Sequence, residues 1–180
     1  MRRSSALFAI MLTALLIAAP AGRAQTSEQL VKATFLYRFA SFVTWPASAF
    51  ADPQTPIRIC VMGADPFAQM LERVVVNQRV DGRAFEVRRL DSVTGASQCH
   101  VVYVVGDRVD DVLRGVHGLP VLTITDGSMS GGDTRGIIHF VIVDDRVRFH
   151  IDDARAAESG LFMSSRLLSL AVSVRRRASS

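Results

Sequence analysis

The sequence predicts one α/β domain: a layered mixed sheet with helices on both faces, followed by a C-terminal β-hairpin and a last helix. Residues 101–105 are all apolar, which is typical of a strand buried on both faces of a sheet. Strand-like and helix-like segments alternate over residues 57–124, as in sheets built from strand–helix–strand units. Residues 137–151 then alternate apolar and polar side chains around Asp144 and Asp145, which indicates a hairpin. The sheet is therefore expected to be mixed rather than purely parallel.

The first 24 residues have the layout of a secretory signal peptide. Arg2 and Arg3 precede an uncharged apolar run over residues 6–19, and small residues follow up to Ala24. This run has 14 residues, whereas a helix that crosses a membrane needs about 20. A retained membrane anchor is the alternative. Cleavage after Ala24 would leave one domain over residues 25–180, long enough for a single hydrophobic core.

The charge of the exported domain argues against nucleic-acid binding. Three of the 21 basic residues leave with the signal peptide, so 18 basic and 17 acidic residues remain, a net charge of +1. Arg175, Arg176 and Arg177 lie in the last six residues, so the rest of the domain is slightly acidic. It lacks the basic surface that nucleic acids require. We expect the tail arginines to end a solvated helix; contact with anionic lipid or an acidic partner is the alternative.

An aromatic-rich first helix is predicted, beginning at Thr26 or Ser27 and ending before Pro46. Apolar side chains recur along it at helical spacing, and Pro46 disfavours helical geometry at the residue before it. The helix has few polar positions, so part of its surface is expected to be apolar and exposed, as in partner-binding surfaces. Its candidate partner-binding residues are Phe35, Arg38, Phe42 and Trp45.

The middle of the chain is predicted to supply most of the sheet. Apolar runs predict strands at 57–62, 85–90, 101–105 and 121–124. Helices are expected between them at 65–74, with Pro66 in the first turn, and at 108–116. Asp81 and Gly82 form a predicted turn.

The hairpin is predicted to have one apolar face and one polar face. Pairing about Asp144 and Asp145 aligns three pairs on the polar face: Val143 with Arg146, Val141 with Arg148, and His139 with His150. The polar side chains Arg146, Arg148 and His150 could accept an anion or an acidic loop of a partner; an ordinary solvated sheet face is the alternative. No metal site is predicted, because two histidines without a third ligand are a weak set and the arginines would repel a cation.

Two helix caps are predicted after the hairpin. Asp152 is expected to cap a short helix that runs through Glu158 and is followed by Gly160. Ser164 is expected to cap the last helix, whose inward-facing residues would be Leu167, Leu168 and Ala171.

The sequence contains none of the common catalytic motifs, so we predict that the protein is not an enzyme and holds no cofactor. The chain has no phosphate-binding loop, no nucleophile elbow and no zinc-protease motif. The glycine-rich stretch at Gly131 and Gly132 is followed by a predicted strand, whereas a phosphate site needs a helix N-terminus there. It is interpreted as a flexible loop that leads into the strand.

The two cysteines, Cys60 and Cys99, are expected to form one disulfide, since thiols oxidise outside the cytoplasm. A free reactive thiol and a metal-binding pair are the alternatives. His100 could in principle activate a thiolate, but neighbouring residues on a strand point to opposite faces, which favours a structural position.

Several segments of the chain together resemble the YfiR-like periplasmic family. The most specific is residues 32–46, which ends in Thr44, Trp45 and Pro46. The other matching segments, in chain order, are 57–67, 99–100, 120–126, 131–140, 148–151 and 160–168.

The resemblance implies a periplasmic regulator. Better-known members bind the periplasmic sensor domain of a membrane diguanylate cyclase and hold the enzyme inactive, which lowers cyclic-di-GMP and biofilm formation. They tend to form dimers, and their stability depends on oxidation. The family's cysteine pair corresponds to Cys60 and Cys99, whereas a second pair found in some members is absent around Thr134 to Val141. The alternative function is a small-solute-binding accessory protein of a sensor or transporter.

Overall fold

The computed structural model describes residues 21–63, 65–128 and 134–177. Most of the predicted signal peptide, and the glycine-rich stretch at Gly131 and Gly132, lie outside the described residues. The helices are α1 (Ala21–Ala40), α2 (Asp65–Val75), α3 (Val109–Gly115), α4 (Asp153–Glu158) and α5 (Ser165–Leu168). The strands are β1 (Val43–Thr44), β2 (Ile57–Met62), β3 (Arg79–Val80), β4 (Arg83–Arg89), β5 (Val101–Val104), β6 (Leu122–Asp126), β7 (Ile138–Val143), β8 (Arg146–Asp152), β9 (Phe162–Met163) and β10 (Ser173–Arg175).

The main sheet has the strand order β10-β8-β7-β6-β5-β2-β4-β3. Strands β4, β2, β5, β6 and β7 run parallel. Strand β8 is antiparallel to β7, β10 is parallel to β8, and β3 is antiparallel to β4. The prediction of a mixed sheet is confirmed.

Helices cover both faces of the sheet, as predicted. On the first face, α1 and α2 pack over a core that contains Ile59, Val61 and Tyr103. On the second face, α3 packs over a smaller core that contains Met62 and Val102. These strand residues alternate between the two faces and nearly all are buried, which explains the unbroken apolar run at 101–105.

The hairpin has the predicted register. Val143 pairs with Arg146, Val141 with Arg148, and His139 with His150. Both turn residues, Asp144 and Asp145, have positive φ angles of 49° and 55°, as the favoured two-residue hairpin turn requires. The polar face is not uniformly solvated, however, because His139 is only 5% exposed.

Residues 134–137 lead into β7 and are bound to two threonine hydroxyls of β6. Thr125 accepts from the Gly136 N–H and Thr123 from the Ile137 N–H, both at 2.9 Å. A Cβ atom at Gly136 would lie 2.7 Å from the Thr123 carbonyl oxygen, so this close approach needs glycine.

The first helix ends earlier than predicted. It stops at Ala40, and the next residues turn into β1, which pairs antiparallel with β9. Pro46 therefore does not set the helix end, and Phe42 and Trp45 lie outside the helix. The pairing partner of β1 is more than a hundred residues away in the chain, so periodicity near Pro46 could not reveal it. The helix also begins before the predicted cap, at Ala21.

The predicted caps of the C-terminal region are confirmed, but its last segment differs. Asp152 accepts a hydrogen bond from the Arg155 N–H, and Ser164 accepts one from the Leu167 N–H. Gly160 follows α4 with a φ of 69°, as a C′ residue does. Helix α5 ends at Leu168, before Ala171, and residues 173–175 form β10 beside β8. The tail arginines therefore do not end a helix.

Candidate functional site

The predicted partner-binding residues on α1 have different environments. Phe35 is half-buried and contacts Phe39, Phe140 and Phe149, with ring centroids 5.6 to 6.1 Å apart. Arg38 is exposed, and its Nε donates to the Tyr37 hydroxyl at 3.4 Å. Phe35 therefore packs mainly against the core, whereas Arg38 is available to a partner.

Phe42 and Trp45 follow α1 and lie near the β1–β9 pair. Phe42 is half-buried, and its carbonyl oxygen accepts a hydrogen bond from the Ser164 N–H at 2.9 Å. Trp45 is also half-buried and lies edge-on to Phe50 and His100. Its indole Nε1 is the buried side-chain nitrogen that lacks a hydrogen-bond partner among the described residues. These two aromatic residues anchor the loop after α1 more than they present a free surface.

The hairpin residues Arg146 and Arg148 are exposed on the second face of the sheet. Neither has an ion-pair partner among the residues that the structure describes. His150 is half-buried, and its Nδ1 lies 2.6 Å from the Ser173 hydroxyl. Burial, together with the charge of Arg135, lowers the pKa of His150.

The two predicted groups do not form one surface. Phe35 packs against Phe149 on the first face, whereas Arg146 and Arg148 alternate with Phe149 along β8 and point to the second face. A partner that used both groups would have to wrap around the β8 edge of the sheet.

An exposed apolar surface borders the aromatic cluster around Phe35. It comprises one residue each from α1, the hairpin and the chain after α5: Val31, Ile142 and Val172. Val31 lies one helical turn before Phe35, Ile142 follows Phe140 on the same side of β7, and the Val172 N–H donates to the Phe149 carbonyl. We call this set the apolar rim. The sequence predicts an apolar surface on α1 through Phe35 and Phe42, and these residues stay a prediction.

A buried ion pair, not foreseen from the sequence, joins α1 to the end of β6. Lys32 Nζ lies 2.6 Å from Asp126 Oδ2, 2.5 Å from Glu28 Oε1 and 3.0 Å from Ser128 Oγ. The Tyr103 hydroxyl also donates to Asp126, at 2.9 Å. Lys32 is only 2% exposed and Asp126 is fully buried.

The surroundings of Asp126 keep it ionised. Burial raises the pKa of this carboxyl group, but hydrogen bonds from Lys32 and Ser128 outweigh burial, so the pKa is lowered overall. Burial and the negative charge of Asp126 raise the pKa of Tyr103. All three donor positions of Lys32 have partners, so the pair is a structural connection rather than an open ligand site.

Cys60 and Cys99 form the disulfide that the sequence predicts. Their Cα atoms are 6.0 Å apart, and both residues are buried in the core under α3. His100 does not address the sulfur atoms: its Nδ1 accepts from the Arg58 N–H, and its Nε2 lies 3.0 Å from the Ala49 carbonyl. Its ring stacks on Phe50 at 4.4 Å.

A groove of about 540 Å³ lies on the second face between α3 and α4. Its floor is apolar and includes Leu113, Val121 and Ile137, and charged residues of α3 and α4 line its sides. Its volume falls within the range of small-molecule sites.

The described residues contain neither a membrane-spanning helix nor a metal-binding cluster of side chains. None of the helices described has the length and hydropathy needed to cross a bilayer. No group of three or more histidine, cysteine or carboxylate side chains is arranged to hold a metal ion within the described part of the chain.

A family model described as YfiR/HmsC-like matches residues 29–172, from the middle of α1 to the residue before β10. No curated protein sequence matches the chain.

Proposed function

Because the chain belongs to the YfiR/HmsC-like family, we propose that it is a periplasmic regulator that represses a membrane-bound diguanylate cyclase. It would bind the periplasmic sensor domain of the cyclase and hold the enzyme in its inactive state. The observation that carries the proposal is the family match over residues 29–172, which covers both faces of the sheet, the disulfide and the hairpin. This family is a regulatory domain family rather than a known class of enzyme.

Repression of this kind needs no catalytic group. A binding protein shifts a partner between two states only if it binds one state more tightly than the other. Converting a cyclase from almost fully active to almost fully inactive requires a preference of about 10⁴-fold for the inactive state. A rigid sheet that presents preformed surfaces suits this task, because little ordering entropy is lost on binding.

Two surfaces support partner binding. Arg146 and Arg148, which form no ion pair among the described residues, present positive charge on the second face, which favours an acidic segment of the partner. The apolar rim supplies the exposed hydrophobic area that marks protein interfaces. Both surfaces lie at the β8 side of the sheet but on opposite faces, so a partner domain that contacts both would wrap around this side. A homodimer through the same surfaces belongs to the proposal as well.

Export underlies the proposal. The predicted signal peptide and the Cys60–Cys99 disulfide both fit the oxidising periplasm. We therefore place the mature protein in the periplasm, as residues 25–180.

Charge reversal on the hairpin tests the proposal. Cells that produce the protein should contain less cyclic-di-GMP than cells that lack it, and the variant Arg146→Glu/Arg148→Glu should restore the higher level. A second variant, Ile142→Ser, should weaken repression through the apolar rim. Arg73→Glu/Arg79→Glu is the matched control, since these arginines are exposed on the opposite side of the sheet. If cyclic-di-GMP is the same with and without the protein, the proposed function is wrong.

The groove between α3 and α4 favours a second candidate function, a small-solute-binding accessory protein of a sensor or transporter. A groove of about 540 Å³ with an apolar floor can enclose most of a small molecule. The two functions are compatible, because solute binding could modulate partner binding.

A further inference from the structure

The groove between α3 and α4 carries a carboxylate on each of its sides. Asp110 lies on the α3 side and Glu158 on the α4 side. Neither forms a salt bridge among the described residues. The two arginines of the groove are engaged instead: Arg114 pairs with Asp111 at 2.5 Å, and Arg155 lies 3.8 Å from Asp152 and donates to the Arg135 carbonyl.

A buried hydroxyl adds a neutral polar group next to Glu158. Ser159 lines the groove, is only 6% exposed and has no side-chain hydrogen bond within the described ranges. Unlike Trp45 Nε1, the Ser159 hydroxyl is not completely enclosed by protein. It therefore keeps access to a small molecule through the groove. On the α3 side, the ring of the exposed His117 likewise has no hydrogen-bond partner among the described residues.

The floor between these polar ends is apolar. Leu113, Val121 and Ile137 line it, and Thr123 uses its hydroxyl to accept the Ile137 N–H. A ligand that fits must be apolar in its middle and positively charged at both ends. An ammonium group donates hydrogen bonds and pairs with carboxylates, and a methylene chain buries well on such a floor.

We propose that this groove binds a linear aliphatic diamine. One ammonium group would pair with Glu158 and donate to Ser159, and the other would pair with Asp110. The inference rests on the second candidate function and gives it a ligand class. It is independent of the partner surfaces on the hairpin and the apolar rim.

Calorimetric titration of the purified full-length protein with three five-carbon probes tests the inference. Cadaverine carries two ammonium groups, pentylamine carries one, and pentanediol carries none. Cadaverine should bind at one site, pentylamine about tenfold more weakly, and pentanediol without a measurable signal. A protein that recognised a single lysine-like ammonium group would bind cadaverine and pentylamine equally, and that result would overturn the proposal.

Substitutions locate the site. Asp110→Asn and Glu158→Gln should each weaken cadaverine binding about tenfold, because each removes one ion pair. Glu72→Gln is the matched control, an exposed carboxylate on α2 across the sheet, and should bind like the wild type. Melting curves of all variants establish that they are folded. Unchanged affinity in both groove variants, or no saturable binding of cadaverine, would refute the inference, and neither result bears on repression of the cyclase.

Discussion

At the scale of single residues, His139 illustrates how the fold alters the chemistry of a side chain. It lies on the nominally polar face of the hairpin but is only 5% exposed, and its Nδ1 lies 2.8 Å from the Thr125 hydroxyl. That hydroxyl accepts the Gly136 N–H, so its hydrogen is available to a neutral imidazole. Burial and the nearby charges of Arg135 and His150 lower the pKa of His139 from 6.5 to about 4.

This shift predicts a loss of stability in mild acid. The unfolded chain takes up a proton on His139 below about pH 6.5, whereas the folded protein resists it down to about pH 4. The free energy of unfolding should therefore fall by about 2 to 3 kcal/mol from this residue as pH drops from 7 to 4.5. Urea titrations should show that His139→Gln removes this part of the pH dependence. In the surface variant His117→Gln, the free energy of unfolding should change with pH as it does in the wild type. The same pH dependence in all three proteins would contradict the prediction.

Replacement of Lys32 or Asp126 should lower the free energy of unfolding more than replacement of other residues. Removing one partner leaves the other charge buried without compensation, which destabilises proteins by about 3 to 5 kcal/mol. Lys32→Met should reach this range in urea unfolding at neutral pH. The double variant Lys32→Met/Asp126→Asn should cost less than the sum of the single variants, because neither charge then remains. Additive effects of the two substitutions would show that the ion pair does not couple the residues.

At the scale of elements, the C-terminal strand β10 is attached by ion pairs as well as by its backbone pairing with β8. Arg175 pairs with Asp152 at 2.8 Å, and Arg177 makes two hydrogen bonds to Asp153, at 2.8 and 3.0 Å. Both carboxylates lie at the start of α4. The predicted solvated helix end is thus replaced by a strand that covers part of the β8 edge, which would otherwise be open to strand addition.

Arg177 and Arg176 offer a matched pair for testing this attachment. Asp153 is largely buried, so Arg177→Ala should leave a poorly solvated carboxylate and lower the free energy of unfolding by about 1 kcal/mol. Arg176 is exposed and has no ion pair among the described residues. Arg176→Ala should therefore have no measurable effect. Hydrogen exchange of the β8 amides should rise only in the first variant, and equal protection in both would exclude the role given to Arg177.

At the scale of the whole molecule, the disulfide and the sheet form one rigid framework. The bridge joins β2 to the segment before β5 and closes a loop with a sequence separation of 39 residues. The chain-entropy estimate for a loop of this size is about 4 kcal/mol. Loss of the bridge should therefore cost about as much stability as removing one partner of the Lys32–Asp126 pair, and this dependence on oxidation suits a protein that works outside the cytoplasm.

The mature protein should begin at Gln25. Mass spectrometry of a periplasmic extract should identify a chain whose first residue is Gln25, after loss of the 24 residues of the leader. Replacing Ala24 by an aromatic residue should block cleavage, because the signal peptidase site needs small side chains. Recovery of the uncleaved chain from the cytosol, with both thiols reduced, would contradict the export on which the proposed regulation depends.

The class of fold, the register of the hairpin and the disulfide could be predicted from the sequence. The apolar run at 101–105 is typical of a strand covered on both faces, and the alternation around Asp144 and Asp145 predicts the observed pairing. Local signals also placed the caps at Asp152 and Ser164. These features depend on neighbours in the chain or on simple periodicity, so the sequence contains the information needed to predict them.

Tertiary structure alone decided the end of α1, the last strand and the contents of the site. The pairing of β1 with β9, of β10 with β8, and of Lys32 with Asp126 joins residues from distant parts of the chain, and no local pattern encodes such a partner. The same holds for the groove, which is bounded by α3 and α4. Side-chain burial and long-range pairing are properties of the packed molecule, so they emerge only when the layers are in place.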